Sequence, residues 1–482
     1  MHNTIVARRL TRLGAAAMGF AIAACSSEAP TIVSHPIGAG SSVVVGHNNN
    51  VPGLDRLQHV VVIYLENHSF DNLYGEFPGA NGLANATGAP RQVDLATGLP
   101  FATLPSIPSE PFLATLPNAP FSIEQFIPGG ASALTPDLVH RFYQEQVQID
   151  GGKMDKFATV SDAKGLSMGY YHTMTLPLAA EAQRYTLCDN FFHGAFGGSL
   201  LNHIWLVAAA PAVFPNAPAS VVTQLGANGL PTLGHDGFVS PDGYVINTSF
   251  TVNQPHPAST PAANLVPNQT MPTIGDRLSD AGVSWVWYSG GWNDALAGHP
   301  DPLFQYHHQP FAFFARYADG TAAKAEHLRD ETEFIAAARA GSLPAVSFVK
   351  PLGEVNEHPG YTNVLDGERH VEDLINAVRN GPNWKNTAII ITYDEHGGFW
   401  DHVAPPVIDR WGPGARVPTL IISPFSRAGH IDHTFYETTS ILTFIERRWS
   451  LRPLGSRDAS ANDLTAAFDF QQGNDRSHEG EP

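Results

Sequence analysis

Five short apolar runs along the chain predict β-strands. The runs cover residues 59–65, 284–288, 345–349, 388–393 and 419–423. A run that is apolar almost throughout, such as residues 388–393, is typical of a strand buried on both faces of a parallel sheet. Between the third and fourth runs, residues 371–378 are apolar at helical spacing, which predicts a strand, a helix and a second strand in succession. The pattern favours an α/β fold with a mostly parallel central sheet.

Polar residues follow directly after two of these runs. Glu66 and Asn67 end the first run, while Asp394 and Glu395 end the fourth and are followed by glycines. Ligands bind outside the carboxyl ends of strands in open α/β sheets, so these side chains are candidates for one site. Their donors are oxygens, which suit one divalent ion such as Ca²⁺, Mg²⁺ or Mn²⁺ better than Zn²⁺. His402 is expected to contact Asp394 and Glu395 and to orient them without binding the metal itself. The alternative is that Asn67 caps a helix and the acids form surface pairs.

The length and composition of the chain limit the architectures that it can adopt. The 482 residues are 43% hydrophobic and 15% charged, with 38 prolines and 44 glycines, which is typical of a globular chain with many ordered loops. Residues 85–135 and 211–270 show little periodicity, so we expect insertions that cover the carboxyl edge of the sheet and set substrate choice. Residues 455–482 are acidic and polar and are expected to form a tail.

The N-terminus carries the pattern of an export signal. Three arginines precede a short apolar run, and the segment is similar to a bacterial lipobox ending in Cys25. Residues 1–24 are therefore expected to be a lipoprotein signal peptide and residues 25–56 a flexible tether. The protein would be exported and held in the cell envelope by Cys25, or secreted if that cysteine is incidental. Cys188 is the other cysteine of the chain, so the mature domain has no intramolecular disulfide.

The net charge narrows the choice of partners. A formal charge of −18 at pH 7 argues against nucleic acid, because an acidic surface repels polyanions at long range. A membrane partner is expected through the N-terminal lipid anchor at most. Any phosphate group has to be held by groups inside a site.

Ser199 lies where a glycine turn runs into an apolar helix predicted over residues 200–210. At a helix N-terminus a serine faces unpaired N–H groups and the positive end of the helix dipole, which suits anion binding or nucleophilic attack beside a metal. The alternative is that Ser199 caps the helix and does no chemistry.

Several histidines lie among polar, glycine- or proline-flanked residues. They are His140, the pair His307 and His308, and His358. Protonated imidazoles are able to bind phosphoryl oxygens and to protonate a leaving alkoxide. In that case activity falls as the pH rises past about 6.5, the ordinary imidazole pKa, and the optimum is acidic. The alternative for each is a structural histidine.

Five separate segments together resemble the bacterial acid phosphatase and phospholipase C phosphoesterase family. The segments are residues 66–71, 151–155, 197–203, 356–360 and 394–403, and they follow the order of the family. The resemblance implies an alkaline-phosphatase-like α/β sandwich with helices on both faces of the sheet and long loop insertions over the active site. The catalytic domain would span residues 57–454.

The resemblance also implies roles for single residues. Ser199 matches the nucleophile, and Asn202 matches an asparagine that faces the phosphoryl group. The implied metal ligands are Glu66, Asn67, Asp394 and Glu395, and the implied phosphate-pocket histidines are His140, His308 and His358.

The serine-containing motif favours one branch of this family. The phospholipase C branch usually has a threonine within Thr-x-Pro-Asn, whereas this chain has Ser199-Leu200-Leu201-Asn202, which resembles the acid phosphatase branch. We expect a metal-dependent phosphomonoesterase that forms a phosphoserine. The alternatives are a phospholipase C acting on choline or ethanolamine lipids and a non-catalytic lipoprotein that binds metal or phosphate. A sulfatase is disfavoured because the segment at Cys188 lacks Cys-x-Pro-x-Arg.

Overall fold

The computed structural model describes residues 51–107 and 116–471. The predicted signal peptide, Cys25 and the tether as far as residue 50 lie outside these ranges, as do residues 472–482 of the expected tail. Within the described ranges, no helix combines the length and the apolar character needed to cross a membrane.

The described ranges contain twelve strands. In chain order they are β1 His59–Leu65, β2 Phe121–Ser122, β3 Gly169–Tyr170, β4 Thr186–Cys188, β5 Phe191–Phe192, β6 Trp285–Ser289, β7 Leu328–Asp330, β8 Val346–Lys350, β9 Thr387–Tyr393, β10 Thr419–Ile422, β11 His430–Asp432 and β12 Tyr436–Glu437. Eight of these described strands form one sheet in the order β11-β4-β10-β9-β1-β8-β6-β7. The five predicted runs are therefore five strands of this sheet.

The sheet is mostly parallel, as predicted. β1 pairs in parallel with β8 and β9, and β6 with β8 and β7. β10 is the exception, since it runs antiparallel to both β9 and β4. All residues of β9 are buried, and so are Val60 to Leu65 of β1, so both faces of the central strands are covered.

The helices of the described ranges are short apart from α10. In chain order they are α1 Phe70–Tyr74, α2 Phe142–Ile149, α3 Phe157–Val160, α4 Leu178–Arg184, α5 Ser199–Ala208, α6 Ile274–Asp280, α7 Trp292–Leu296, α8 Ala322–His327, α9 Glu331–Ala340, α10 Val364–Arg379, α11 Thr438–Trp449 and α12 Ser456–Ser460. The predicted helix over residues 371–378 is the second half of α10. The helix starts earlier because the Asn363 side chain accepts the N–H of Asp366 and caps it. α10 connects β8 to β9, and β1 lies between these two strands.

The two predicted insertions contain short 3-10 turns and isolated strand bridges where they are described. Residues 108–115 of the first insertion lie outside the described ranges. The second insertion reaches the N-terminus of α2, where Asn247 Oδ1 accepts the Phe142 N–H at 3.2 Å. This contact places part of the second insertion beside His140, a residue of the site described below.

The C-terminal segment differs from the expected tail. Residues 455–471 include α12 and bury Leu464, Ala467, Phe468 and Phe470 against the domain. The physical reason is that a few apolar side chains, spaced among acidic and polar residues, fill the core although the average composition is polar. The folded part of the chain therefore extends beyond residue 454.

Glu368 on α10 makes the stability of the fold dependent on pH. Burial raises the pKa of this fully buried carboxyl to about 8, although Oε2 accepts the Leu178 N–H at 2.7 Å. An unfolded glutamate has a pKa of about 4.3, so between about pH 4.3 and 8 the folded protein holds one proton more than the unfolded chain. Its stabilising contribution is complete below about pH 4.3 and is lost as the pH rises through 8, by up to about 1.4 kcal/mol per pH unit.

We expect Glu368→Gln to remove that slope from the free energy of unfolding between pH 5 and 8. Urea unfolding at several pH values measures it, with the exposed Glu326→Gln as the control that keeps the slope of the parent protein. Equal slopes in the parent protein and in Glu368→Gln would contradict the prediction.

Candidate active site

The site lies where the carboxyl ends of β1, β8 and β9 meet. Leu65 is in register with Tyr393 across the parallel pair, so the next residues, Glu66 and Asp394, leave the sheet side by side. The Asp394 N–H donates to the Leu65 carbonyl at 3.0 Å and extends this alignment by one residue. Glu66, Asn67, Asp394 and Glu395 are all 0% exposed. This alignment brings the four side chains together at one rim of the sheet, where the sequence pattern predicts them.

Three of the four side chains have a buried oxygen without a hydrogen-bond partner among the described residues, namely Asn67 Oδ1, Asp394 Oδ2 and Glu395 Oε1. Glu66 Oε1 instead lies 2.6 Å from Lys350 Nζ and 2.5 Å from His308 Nε2. The second oxygens of the last two acids are held by backbone, since Asp394 Oδ1 accepts the Glu395 N–H at 2.9 Å and Glu395 Oε2 accepts the Gly397 N–H at 2.6 Å. Buried oxygens that lack partners are costly unless a cation binds them. The donor set fits one divalent ion that prefers oxygen.

The electrostatics of the rim favour a cation. Burial raises the pKa of Asp394, and the charge of Glu66 raises it further. Burial likewise raises the pKa of Glu395, with Asp394 as the next cause. Burial also opposes ionisation of Glu66, but His308 and Lys350 outweigh it and lower the pKa of that carboxyl. Three acids at one buried rim repel one another, and a divalent ion relieves that repulsion.

A second donor set shares Glu66 and contains nitrogen. Glu66, His203 and His308 bring one ligand atom each within 4.8 Å of one another. His203 Nε2 is buried and has no hydrogen-bond partner in the described part of the chain, whereas His308 Nε2 lies 2.5 Å from Glu66 Oε1. This set suits Zn²⁺, whereas the four-residue oxygen set suits Ca²⁺, Mg²⁺ or Mn²⁺.

Ser199 is the first residue of α5, and Gly198 occupies the N-cap position. Its Oγ donates to Glu66 Oε2 at 3.2 Å instead of capping its own helix. The alternative that Ser199 serves only as an N-cap does not describe this geometry. The hydroxyl lies at the positive end of the α5 dipole and directly beside a proposed metal ligand, which is where a nucleophile for an anionic ester is stabilised.

The three predicted histidines gather around the same acids. His308 Nε2 is 2.5 Å from Glu66 Oε1, and His358 Nε2 is 3.7 Å from Glu66 Oε2. His140 Nε2 lies 3.5 Å from Asn67 Nδ2 and 3.9 Å from Glu395 Oε1. All three Nε2 atoms therefore face the rim, from three different segments of the chain.

The expected link between cationic imidazoles and an acid optimum near pH 6.5 needs correction. Burial lowers the pKa of His308 to about 4, and burial also lowers the pKa of His358. At pH 6.5 burial therefore disfavours the cationic form of both imidazoles in the free protein. The sequence shows polar neighbours around both histidines but not the burial that shifts their pKa values.

Two residues of the site were not among the predicted set. Lys350 ends β8 with Nζ 2.6 Å from Glu66 Oε1, and it is 0% exposed. His203 Nδ1 donates to the Ser199 carbonyl at 2.7 Å and lies 3.6 Å from Asp394 Oδ2. Signals existed for both, since Lys350 follows an apolar run as Glu66 does, and His203 lies one helical turn after Ser199.

Asn202 does not face an open site in this structure. Its Oδ1 accepts the Ala195 N–H at 2.9 Å, and its Nδ2 donates to the carbonyls of Ala195 and Gly197 at 3.0 and 3.1 Å. The expected contact with a phosphoryl group is corrected accordingly, because the amide is occupied in holding the loop before Ser199.

His402 also differs from its expected role behind the metal ligands. Its Nδ1 lies 2.6 Å from Asp71 Oδ2, and Asp71 and Asp401 together bind the buried Arg416. This ion-pair network fastens the segment after β9 to α1. The contacts of His402 are with that network and not with Asp394 or Glu395.

A polar cavity of about 210 Å³ opens beside His140 and Gly198. Asp137, Arg141, Asn247 and Thr248 contribute polar atoms to its wall. A larger cavity of about 790 Å³ is lined by segments around residues 75–91 and 118–120 and contains none of the site residues named above. The small polar cavity therefore reaches Gly198, the residue before Ser199.

The chain is similar to known proteins over most of its length. The model of the Phosphoesterase family matches residues 57–452. Phospholipase C A of Mycobacterium tuberculosis is 26% identical over 96% of this chain and 84% of that protein. Non-hemolytic phospholipase C of Pseudomonas aeruginosa is 24% identical over 97% of this chain and 64% of that protein. Among solved structures, a protein in the alkaline phosphatase superfamily from Vibrio parahaemolyticus matches 70% of this chain and 74% of its own, with 12% identity and a TM-score of 0.34.

Proposed function

The chain belongs to the phosphoesterase family and hydrolyses phosphoric ester bonds, and from this premise we propose that it is a phosphomonoesterase with Ser199 as its nucleophile. The observation that carries the proposal is the Ser199 Oγ, which lies at the N-terminus of α5 and 3.2 Å from Glu66 Oε2. Three buried oxygens without hydrogen-bond partners among the described residues, those of Asn67, Asp394 and Glu395, lie at the same rim.

The reaction begins at the Ser199 hydroxyl. The hydrogen bond to Glu66 Oε2 aims the proton at a carboxylate, so the oxygen lone pair is free to attack phosphorus. A divalent ion held by Glu66, Asn67, Asp394 and Glu395 would lower the pKa of the hydroxyl and neutralise charge on the phosphoryl oxygens. The Ser199 oxygen–phosphorus bond forms as the ester P–O bond breaks, and water then attacks the phosphoserine and releases phosphate.

The histidines relay a proton to the leaving alkoxide. His140 Nδ1 and His358 Nδ1 lie 2.5 Å and 2.6 Å from the carbonyls of Leu138 and Pro359, which only accept, so the protons are on Nδ1. Their Nε2 atoms therefore present lone pairs to the site. A phosphate monoester that enters as the monoanion, below its second pKa of about 6, brings a proton that an Nε2 atom passes to the leaving oxygen.

The shape of the open space supports a monoester. A cavity of about 210 Å³ with polar walls beside His140 fits a small polar alcohol. Two acyl chains need a larger apolar surface than this cavity presents. The resemblance of the segment Ser199-Leu200-Leu201-Asn202 to the acid phosphatase branch also supports a monoester substrate.

A second candidate function is phospholipase C activity. The curated relatives that cover most of this chain are named phospholipases C. The same serine, acids and histidines would cleave a phosphodiester, so the catalytic groups do not separate the two functions. The two functions differ in the leaving group that the enzyme accepts.

The substrate preference tests the proposal. We expect kcat/KM for p-nitrophenyl phosphate to exceed that for phosphatidylcholine in mixed micelles by about 10²-fold or more, because the cavity beside His140 is small and polar and so favours a small polar leaving group. The assay is run on the full chain at pH 5 to 7, with Ser199→Ala as the background. Efficient release of phosphocholine with poor monoester turnover would favour the phospholipase. No turnover of either substrate, with metal binding retained, would favour the non-catalytic lipoprotein.

The proposal also includes export and attachment to the cell envelope. The support is the arginine-rich start of the chain, the apolar run that follows it and the lipobox-like segment ending in Cys25. Alternatively, the mature protein is secreted without lipid.

A further inference from the structure

Glu145 is a fully buried carboxylate that the proposed reaction does not use. It lies on α2, the helix that begins just after His140, and its side chain is 0% exposed. Burial raises the pKa of Glu145, but His193 and His396 lower it by more, to about 2. Taking such an ion out of water costs on the order of several kcal/mol unless its oxygens are fully bonded. The partners of this carboxylate therefore indicate what it holds in place.

Both oxygens of Glu145 are engaged. Oε2 accepts the Gly197 N–H at 2.5 Å, and Oε1 accepts the Ala415 N–H at 3.0 Å and lies 2.9 Å from His193 Nε2. His396 Nε2 is 3.6 Å from Oε1. One side chain thus joins α2 to the loop that leads into α5, to the segment before β10 and to the turn after β9.

The loop that leads into α5 is held from both sides at Gly197. Its N–H is bound by Glu145, and its carbonyl accepts from Asn202 Nδ2 at 3.1 Å. Gly197 has a φ of +86°, and a Cβ at this position would lie 2.3 Å from the Phe142 nitrogen, so no side chain fits between the loop and α2. Ser199 follows two residues later, so the orientation of this peptide sets the position of its hydroxyl.

We propose that Glu145 is a positioning residue for the reaction of Ser199, an inference that rests on the function proposed above. Its carboxylate fixes the spacing between His140 at the start of α2, Ser199 at the start of α5 and Glu395, which adjoins His396. A displacement of about 1 Å at reacting atoms costs roughly 10²-fold in rate. Loss of this carboxylate acts on the geometry of the site without removing any group that touches substrate.

A buried metal ion is the competing occupant of this cluster. Glu145, His193 and His396 bring one ligand atom each within 4.8 Å of one another. Two observations favour the hydrogen-bonded network instead. Glu145 Oε1 already has two hydrogen-bond partners, and the Gly414 backbone closes the space, since a Cβ there would lie 2.2 Å from His193 Nε2.

The test is Glu145→Gln, with Glu331→Gln as the matched control. Glutamine keeps the size of the side chain but turns an NH₂ group toward at least one of the N–H donors that Glu145 binds. Glu331 also contacts a histidine, with Oε1 2.9 Å from His370 Nε2, and lies on α9 away from Ser199. We expect E145Q to lower kcat for p-nitrophenyl phosphate about 10²-fold, with KM changed less than about threefold.

Amide hydrogen exchange provides a readout that does not depend on catalysis. We expect exchange across residues 195–199 to be about tenfold faster in E145Q, because the Gly197 N–H loses the charged carboxylate as its acceptor, and unchanged in E331Q. If E145Q does not fold, His193→Gln is measured in the same way, since it removes the imidazole at Glu145 Oε1, together with the contact of Nδ1 with Asn202 Oδ1 at 3.4 Å.

Three results would overturn the inference. The first is unchanged exchange across residues 195–199 in folded E145Q. The second is an equal fall of kcat in E331Q, which would indicate a general loss of stability. The third is a second equivalent of metal in the parent protein that E145Q lacks, which would identify a metal site. Full turnover in Ser199→Ala would contradict the proposed function alone and leave the exchange result to decide on Glu145.

Discussion

Replacing Ser199 with alanine is expected to lower kcat/KM for p-nitrophenyl phosphate by at least about 10³-fold, because the variant lacks the oxygen that forms the phosphoserine. The substitution deletes the hydrogen bond from Oγ to Glu66 Oε2. The melting temperature is therefore expected to stay within a few degrees of the parent protein. Steady-state kinetics on the folded variant measures the effect.

Trapping the intermediate distinguishes a nucleophile from a binding residue. Acid quenching after mixing with radiolabelled phosphoester is expected to leave label on the parent protein and none on Ser199→Ala. The matched control is Ser426→Ala, since Ser426 is also buried and donates to the Ser423 carbonyl at 3.0 Å, outside the site. Normal turnover or retained label in Ser199→Ala would exclude Ser199 as the nucleophile.

Asp394→Asn is expected to have opposite effects on the metal-free and the metal-loaded protein. Burial and the nearby charge of Glu66 raise the pKa of Asp394, so the carboxyl is costly to ionise without a cation. A neutral amide relieves that cost and is expected to raise the melting temperature of the protein in EDTA. The same change removes the charge that binds the ion, so activity is expected to fall by at least about 10²-fold.

The metal-dependent shift of the melting temperature measures this prediction directly. At 100 times Kd a bound ion stabilises the folded protein by about 2.7 kcal/mol, and we expect Asp394→Asn to lose most of that gain with Ca²⁺, Mg²⁺ and Mn²⁺ titrated in turn. The control is Asp432→Asn, because Asp432 is a buried, hydrogen-bonded aspartate on β11 at the far edge of the sheet. An unaltered metal response in Asp394→Asn would remove Asp394 from the ligand set.

The strands of the sheet can be predicted because burial on both faces leaves almost no polar residue in them. Residues 59–65 and 388–393 correspond to β1 and β9 to within one residue for this reason. The direction of β10 is a different matter. A strand that is apolar on both faces has the same pattern whichever way it runs, so its antiparallel pairing depends on connections that the pattern does not contain.

The residues of the candidate site also differ in how well the sequence predicts them. Glu66 and Asp394 can be found because each follows an apolar run, and the parallel register then brings them together. Lys350 could be found in the same way, since it also follows an apolar run and β8 pairs in parallel with β1. Glu145 lies on a helix whose inward face depends on residues far away in the chain, so its complete burial emerges only in the folded protein.

The position of β1 determines when the site can form. This strand comes first among those of the described sheet, yet both of its neighbours, β8 and β9, are made of residues after 345. During synthesis on the ribosome β1 therefore stays without its partners until nearly the whole domain has been produced. Pairings between such distant parts of a chain make folding slow and leave apolar strands exposed to aggregation in the meantime. Glu66 meets Asp394 only at that late stage, so completion of the fold and appearance of the catalytic rim are the same event.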